Sequence, residues 1–246
     1  MRAAWFVTAA FLSGALLLGA CHISADARED DGPHATRSFA VGAFDKVALV
    51  GSHDVVVAVG SAPSVRAEGD AKEIERLDIR VENGELRIGT KHDDGWSWNF
   101  GSHHNHVTIY VNAPALAGAS VGGSGDMKID KVAGARFDAA LAGSGDMQIA
   151  SLDVGEANFA LSGSGDLSAA GKAGKASMRV AGAGDISAGG FETGTATVAV
   201  MGSGDVAARA MQSASISVMG SGDVTMSGTA KCTVSKMGSG DVRCGG

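Results

Sequence analysis

One tetrapeptide returns seven times in the second half of this chain. The copies are Gly123-Ser124-Gly125-Asp126, Gly143-Ser144-Gly145-Asp146, Gly163-Ser164-Gly165-Asp166, Gly182-Ala183-Gly184-Asp185, Gly202-Ser203-Gly204-Asp205, Gly220-Ser221-Gly222-Asp223 and Gly238-Ser239-Gly240-Asp241. Successive aspartates lie 20, 20, 19, 20, 18 and 18 residues apart. A fixed period this short marks one structural unit stacked on copies of itself. Two strands and a helix do not fit into it, whereas one coil of a β-solenoid does. Aromatic residues make up only 5% of the chain while glycines number 37, which suits narrow stacked coils rather than a bulky core.

Alignment on the aspartates exposes columns. The residue after Asp is always apolar: Met127, Met147, Leu167, Ile186, Val206, Val224 and Val242. Five before Asp stand Val121, Leu141, Leu161, Val180, Val200, Val218 and then Lys236. Seven before stand Ala119, Ala139, Phe159, Met178, Val198, Ile216 and Val234. Small or polar residues such as Asn158, Ser177, Thr197 and Ser215 lie between them. This period-two alternation predicts half-buried strands on both sides of the corner, followed by a less regular return of about six to eight residues. Equivalent strands of successive coils are expected to pair in parallel. The fold class is all-β, a parallel β-solenoid of roughly 18–20-residue coils, with a less regular β part before it.

The glycines supply the tight corner. Asp126, Asp146, Asp166, Asp185, Asp205, Asp223 and Asp241 are expected to be structural turn residues that accept bonds from nearby amides in Asx-type turns. Carboxylates stacked about 4.8 Å apart repel by roughly 1 kcal/mol per neighbour in water. Backbone donors, outward splay or bound Ca²⁺ could offset that.

Three cysteines are present. Cys232 and Cys244 fall in columns with the parity of the interior. They are expected either to form a disulfide closing the last coil or to be buried free thiols. Cys21 has a different setting. Residues 1–20 read as a signal peptide, with Arg2 ahead of an apolar stretch too short for a confident membrane span. Leu18-Gly19-Ala20-Cys21 resembles a bacterial lipobox, which implies lipidation at Cys21 and a membrane anchor. Residues 21–37 read as a polar tether, residues 38–115 as the irregular β part and 116–246 as the regular array. The net charge of −7, without basic clusters, argues against a nucleic-acid partner.

The irregular part carries its own signals. Gly51-Ser52-His53-Asp54 followed by Val55-Val56-Val57 reads as a diverged first copy of the repeat. Ile79 to Gly89 has the pattern of a hairpin turning at Asn83-Gly84, and Ala71 to Leu77 reads as one or two helical turns. Those features, the strand Val107-Thr108-Ile109-Tyr110-Val111 and the Gly-Ser-Gly-Asp coils together resemble the DUF2807 family, labelled putative auto-transporter adhesin, head GIN domain. The resemblance covers roughly residues 39–246. It implies an exported β-solenoid, often a lipoprotein, in the envelope of a Gram-negative bacterium, and His22 rather than Asp after Cys21 favours the outer membrane. It brings no catalytic residues with it.

One segment departs from the family pattern. Residues 92–106 gather His92, His103, His104 and His106 with Asp94, Trp96 and Trp98. The histidines could bind Zn²⁺ or Cu²⁺, and the tryptophans could stack on a sugar or a protein partner. A third reading is a loop with its aromatics folded over the solenoid. No cofactor is expected on balance, with Ca²⁺ or Zn²⁺ as the alternatives. The functional reading is a non-enzymatic envelope lipoprotein that contacts a glycan or protein surface. The alternatives are a metal-binding envelope factor and a polysaccharide-active β-helix enzyme. The repeated acids recur in identical corner settings, which looks architectural rather than catalytic.

Overall fold

The computed structural model describes residues 33–91 and 107–245. The signal peptide, Cys21 and most of the tether lie outside the described residues. So do His92, His103, His104, His106, Trp96 and Trp98.

The corner is built by backbone stacking on backbone. At the second array corner, the amides of Ser144 and Gly145 both donate to the carbonyl of Gly123, at 2.9 and 3.2 Å. The same pair of bonds recurs at each later corner. Gly143 and Gly163 have φ of +138° and +128°, which L side chains rarely adopt. The second glycine of each corner does not need positive φ. It needs space: a Cβ on Gly165 would run into the carbonyl oxygen of Gly145. The serine between them points to solvent, so Ala183 can stand in its column.

Around this corner run the array strands: β8 (Gly118–Gly123), β9 (Met127–Ile129), β10 (Val132–Gly143), β11 (Met147–Gly163), β12 (Leu167–Gly182), β13 (Ile186–Gly202), β14 (Val206–Gly220), β15 (Val224–Ser227), β16 (Lys231–Gly238) and β17 (Val242–Cys244). Neighbouring coils pair in parallel and in register, as in Phe159↔Met178 and Met178↔Val198. The return is more regular than expected. β11 is one continuous strand from corner to corner, and irregularity is confined to register shifts such as that between Ile149 and Leu152. The return pairs because stacking leaves its amides and carbonyls facing an identical segment.

The three apolar columns face inward and are buried from Met127 to Val224. Bulk is traded between neighbouring coils: Phe137 with Ala139 is followed by Ala157 with Phe159, and all four are buried. Phe159 then meets Phe191 edge-on at 5.5 Å. Outward charges on the return pair between coils, Lys172 with Asp153 at 3.2 Å and Arg209 with Glu192 at 3.4 Å. Such exposed pairs contribute about 0–1 kcal/mol.

The N-terminal part reorders the stack. Strands β2 (Lys46–Gly51) and β3 (Asp54–Val59) form a true coil directly under β8 and β9. The chain then continues outward through β4 (Ser64–Asp70), α1 (Ala71–Arg76), β5 (Leu77–Glu82), β6 (Glu85–Thr90) and β7 (Val107–Ala113). β6 and β7 stack on the far side of β2 and β3. The coil at 46–59 is therefore sandwiched between segments that follow it in sequence.

Antiparallel strands cover this end. β4 pairs with β7, and β1 (His34–Phe39) pairs with β4. β1 begins inside the stretch read as tether, because its polar sequence still matches the exposed edge of β4. The β5–β6 hairpin turns at Asn83 and Gly84, with φ of 52° and 78°. Asp70 caps α1, accepting from the amides of Lys72 and Glu73 at 2.8 and 3.1 Å. Ile74 packs the helix onto the core.

Candidate contact surface

The repeated aspartates form a ladder rather than a set of local turns. Each side chain accepts from the amide of the equivalent Asp one coil on. Asp146 N donates to Asp126 Oδ1 at 2.9 Å, Asp166 N to Asp146 Oδ1 at 3.0 Å, and Asp223 N to Asp205 Oδ1 at 2.7 Å. The Asx-type turn read from sequence is corrected in this respect: the donor lies about twenty residues away. Asp54 Oδ1 receives Asp126 N at 3.3 Å, which joins the diverged first corner to the ladder. One charge-assisted bond per carboxylate offsets the repulsion along the stack. Among the described residues no group of three or more His, Cys, Asp and Glu side chains is placed to share a metal ion.

His53 takes the second-glycine position in the first corner. It is buried, and its Nε2 lies 3.4 Å from Thr90 Oγ1. Burial pushes the imidazole pKa below its ordinary value, opposed by Glu73 and Asp54.

Cys232 and Cys244 are brought together, with Cα atoms 6.5 Å apart and their sulfurs bonded. Their columns do have interior parity, since Cys232 registers with Ala214 and Cys244 with Met226. Yet Cys232 is only half-buried and Cys244 is exposed. The expected disulfide is present, the alternative of two buried free thiols is corrected, and no described coil lies above the pair.

The outer face of β8, β10–β14 and β16 carries three rows in register. Furthest from the corner, Asp138, Asn158, Ser177, Thr197, Ser215 and Thr233 form a polar row. Arg136 hydrogen-bonds Asp138 and holds its carboxyl below the usual range. The middle row is mostly alanine and serine. The row beside the corner begins with Gly122, Ala142, Ser162 and Ala181, then becomes Met201, Met219 and Met237. These methionines are 52%, 47% and 69% exposed. Between Arg87 at one end and Met201 at the other, the face is hollowed into an apolar groove of about 540 Å³ floored by Ala48, Ala140 and Ala160. Sequence reasoning found the polar row and missed the methionines. The signal was present four residues before each Asp, in a column masked by its small early members.

A three-segment coil, a carboxylate ladder at one corner and an apolar outer sheet face define a short-coil parallel β-solenoid, a scaffold that presents long faces. The chain belongs to the DUF2807 family, described as putative auto-transporter adhesin, head GIN domain, whose model matches residues 43–230. A putative adhesin from Bacteroides fragilis is similar over 85% of this chain and 96% of its own, with 22% identity and a TM-score of 0.74. A putative lipid binding protein from Parabacteroides distasonis matches over 86% of this chain and 96% of its own, with 25% identity and a TM-score of 0.64. A putative adhesin from Parabacteroides merdae matches over 86% and 95%, with 18% identity and a TM-score of 0.66. No match to a curated protein is found.

Proposed function

We propose that this chain is a non-enzymatic head domain held at the cell envelope by lipid on Cys21, and that it contacts its partner through the outer face of β8 and β10–β14. The observation that carries this reading is the row of half-exposed methionines beside an apolar groove. A contiguous exposed apolar row of this kind, rimmed by polar residues, marks an interaction surface. The family description as an adhesin head, and the description of one relative as a putative lipid binding protein, both suit a face with an apolar centre and a polar border. Fully covering a methionine contributes roughly 1.5–3 kcal/mol, so covering two half-exposed ones changes affinity by about tenfold or more.

The test is binding of the fluorescently labelled chain to whole bacterial cells, read by flow cytometry. Met201→Glu with Met219→Glu is expected to weaken binding at least tenfold, and Thr197→Lys with Ser215→Lys to weaken it less. Unchanged binding by the methionine pair would overturn the reading. The anchor is tested separately by metabolic labelling with an alkyne fatty acid, where Cys21→Ser is expected to abolish incorporation.

A further inference from the structure

The two ends of the stack are finished differently. Antiparallel strands and α1 cover one. At the other, β16 lies in register on β14 and no described strand lies beyond it. Val234, in a column buried in every earlier coil of the array, is 46% exposed there. A bare parallel edge with an uncovered core residue is a template for pairing with another chain.

Two departures from the repeat fall on that edge. The column five residues before Asp is apolar and buried in six coils, and Lys236 occupies it in the seventh. Asp241 is also the last described member of the carboxylate ladder: Asp223 Oδ1 accepts from Asp241 N at 2.7 Å. Lys236 Nζ lies 4.0 Å from Asp241 Oδ1. One side chain thus breaks the core column and sets a cation beside the last carboxylate.

We propose that the coil at 231–244 is an end-stop against edge-to-edge pairing with a second copy of this chain, and that Lys236 enforces it. Two copies meeting at this edge about a two-fold axis would set β16 against its counterpart in antiparallel fashion. Val234 of both copies would be covered. Each Lys236 would enter the same apolar seam, where two ammonium groups would lose water and face like charge. The exposed ion pair with Asp241 adds little energy by itself; the placement of the charge is what acts. This inference concerns the end of the stack and does not depend on the contact face.

Sedimentation of the full chain over a range of concentrations tests it. Lys236→Val and Lys236→Met are expected to associate into dimers at least tenfold more tightly than wild type. Slowed hydrogen exchange should appear in the amides of Lys231–Gly238. Lys236→Arg keeps the cation and is expected to sediment as wild type. Circular dichroism melts establish that each variant is folded, and Lys236→Thr supplies a neutral replacement should the apolar ones misfold. Sedimentation of the folded neutral variants at the wild-type rate would overturn the proposal. So would association of Lys236→Arg, because charge would then not be the barrier.

Discussion

The corner at 51–54 and the corners of the array solve one problem under different constraints. Both turn the chain sharply, both send an aspartate into the ladder, and both begin with a glycine at positive φ. The array then requires a second glycine, and the first corner accepts a buried histidine. The difference lies in the neighbouring coil, not in the turn. Gly145 and Gly165 each lie against the corner before them, where a Cβ would strike a carbonyl. His53 instead meets β6, with its Nε2 3.4 Å from Thr90 Oγ1. The second glycine is therefore a requirement of stacking.

That comparison can be broken most severely at Gly165. Gly165→Ala is predicted to cost about 3 kcal/mol or more, because only backbone can give way. His53→Ala, at the matching position, is predicted to cost about 1 kcal/mol. Urea unfolding followed by circular dichroism measures both, and equal costs would refute the stacking account.

Cys232→Ser comes next in size. Its bridge spans a sequence separation of 12, and removing a loop of that size is predicted to cost about 2–3 kcal/mol. The loss should stay local, as faster hydrogen exchange in β16 and β17 with little change in β11. Asp166→Ala removes the acceptor for the Asp185 amide at 3.0 Å and is predicted to cost about 1 kcal/mol. Asp166→Asn should cost less, since an amide oxygen still accepts.

The pH response separates the two corners more gently. Burial favours neutral His53, so its folded pKa lies below the ordinary 6.5. The unfolded chain then binds the proton first. Stability contributed by this group is complete above pH 6.5 and falls as pH drops from there through the folded value. Melting temperatures between pH 7.5 and 5 should show this fall in wild type and less of it in His53→Gln. Smallest of all, Ser144→Ala should change stability by about 0.5 kcal/mol or less, as Ala183 already suggests.

The sequence disclosed whatever depends on period and parity. The columns beginning at Met127, Val121 and Ala119 named the core, and Asn83-Gly84 named the hairpin. Partners across coils were less legible. The ladder bond from Asp166 to Asp185 joins residues of one column, and alignment shows likeness within a column without showing contact. The order of stacking was hidden for a related reason. The coil at 46–59 has ends free on both sides, and nothing in its residues says that β6 and β7 would return to its outer side. Met201, Met219 and Met237 went unread because their column starts with glycine and alanine. The exposure of the Cys232–Cys244 disulfide was not legible, because parity reports which way a side chain points and only a further coil could cover it.

The direction of the aspartate ladder has a consequence for the length of the molecule. Each coil offers its carboxylate to the next and receives one from the last, so every internal coil presents the same two halves of a joint. Removing residues 147–166 would join Asp146 to Leu167, which would take the place of Met147, its register partner one coil back. The shortened chain would meet matching partners on both sides. Such an array can lose or gain a coil by a single in-frame deletion or duplication. The reach of the head can thus vary between generations of the gene without redesign of either end.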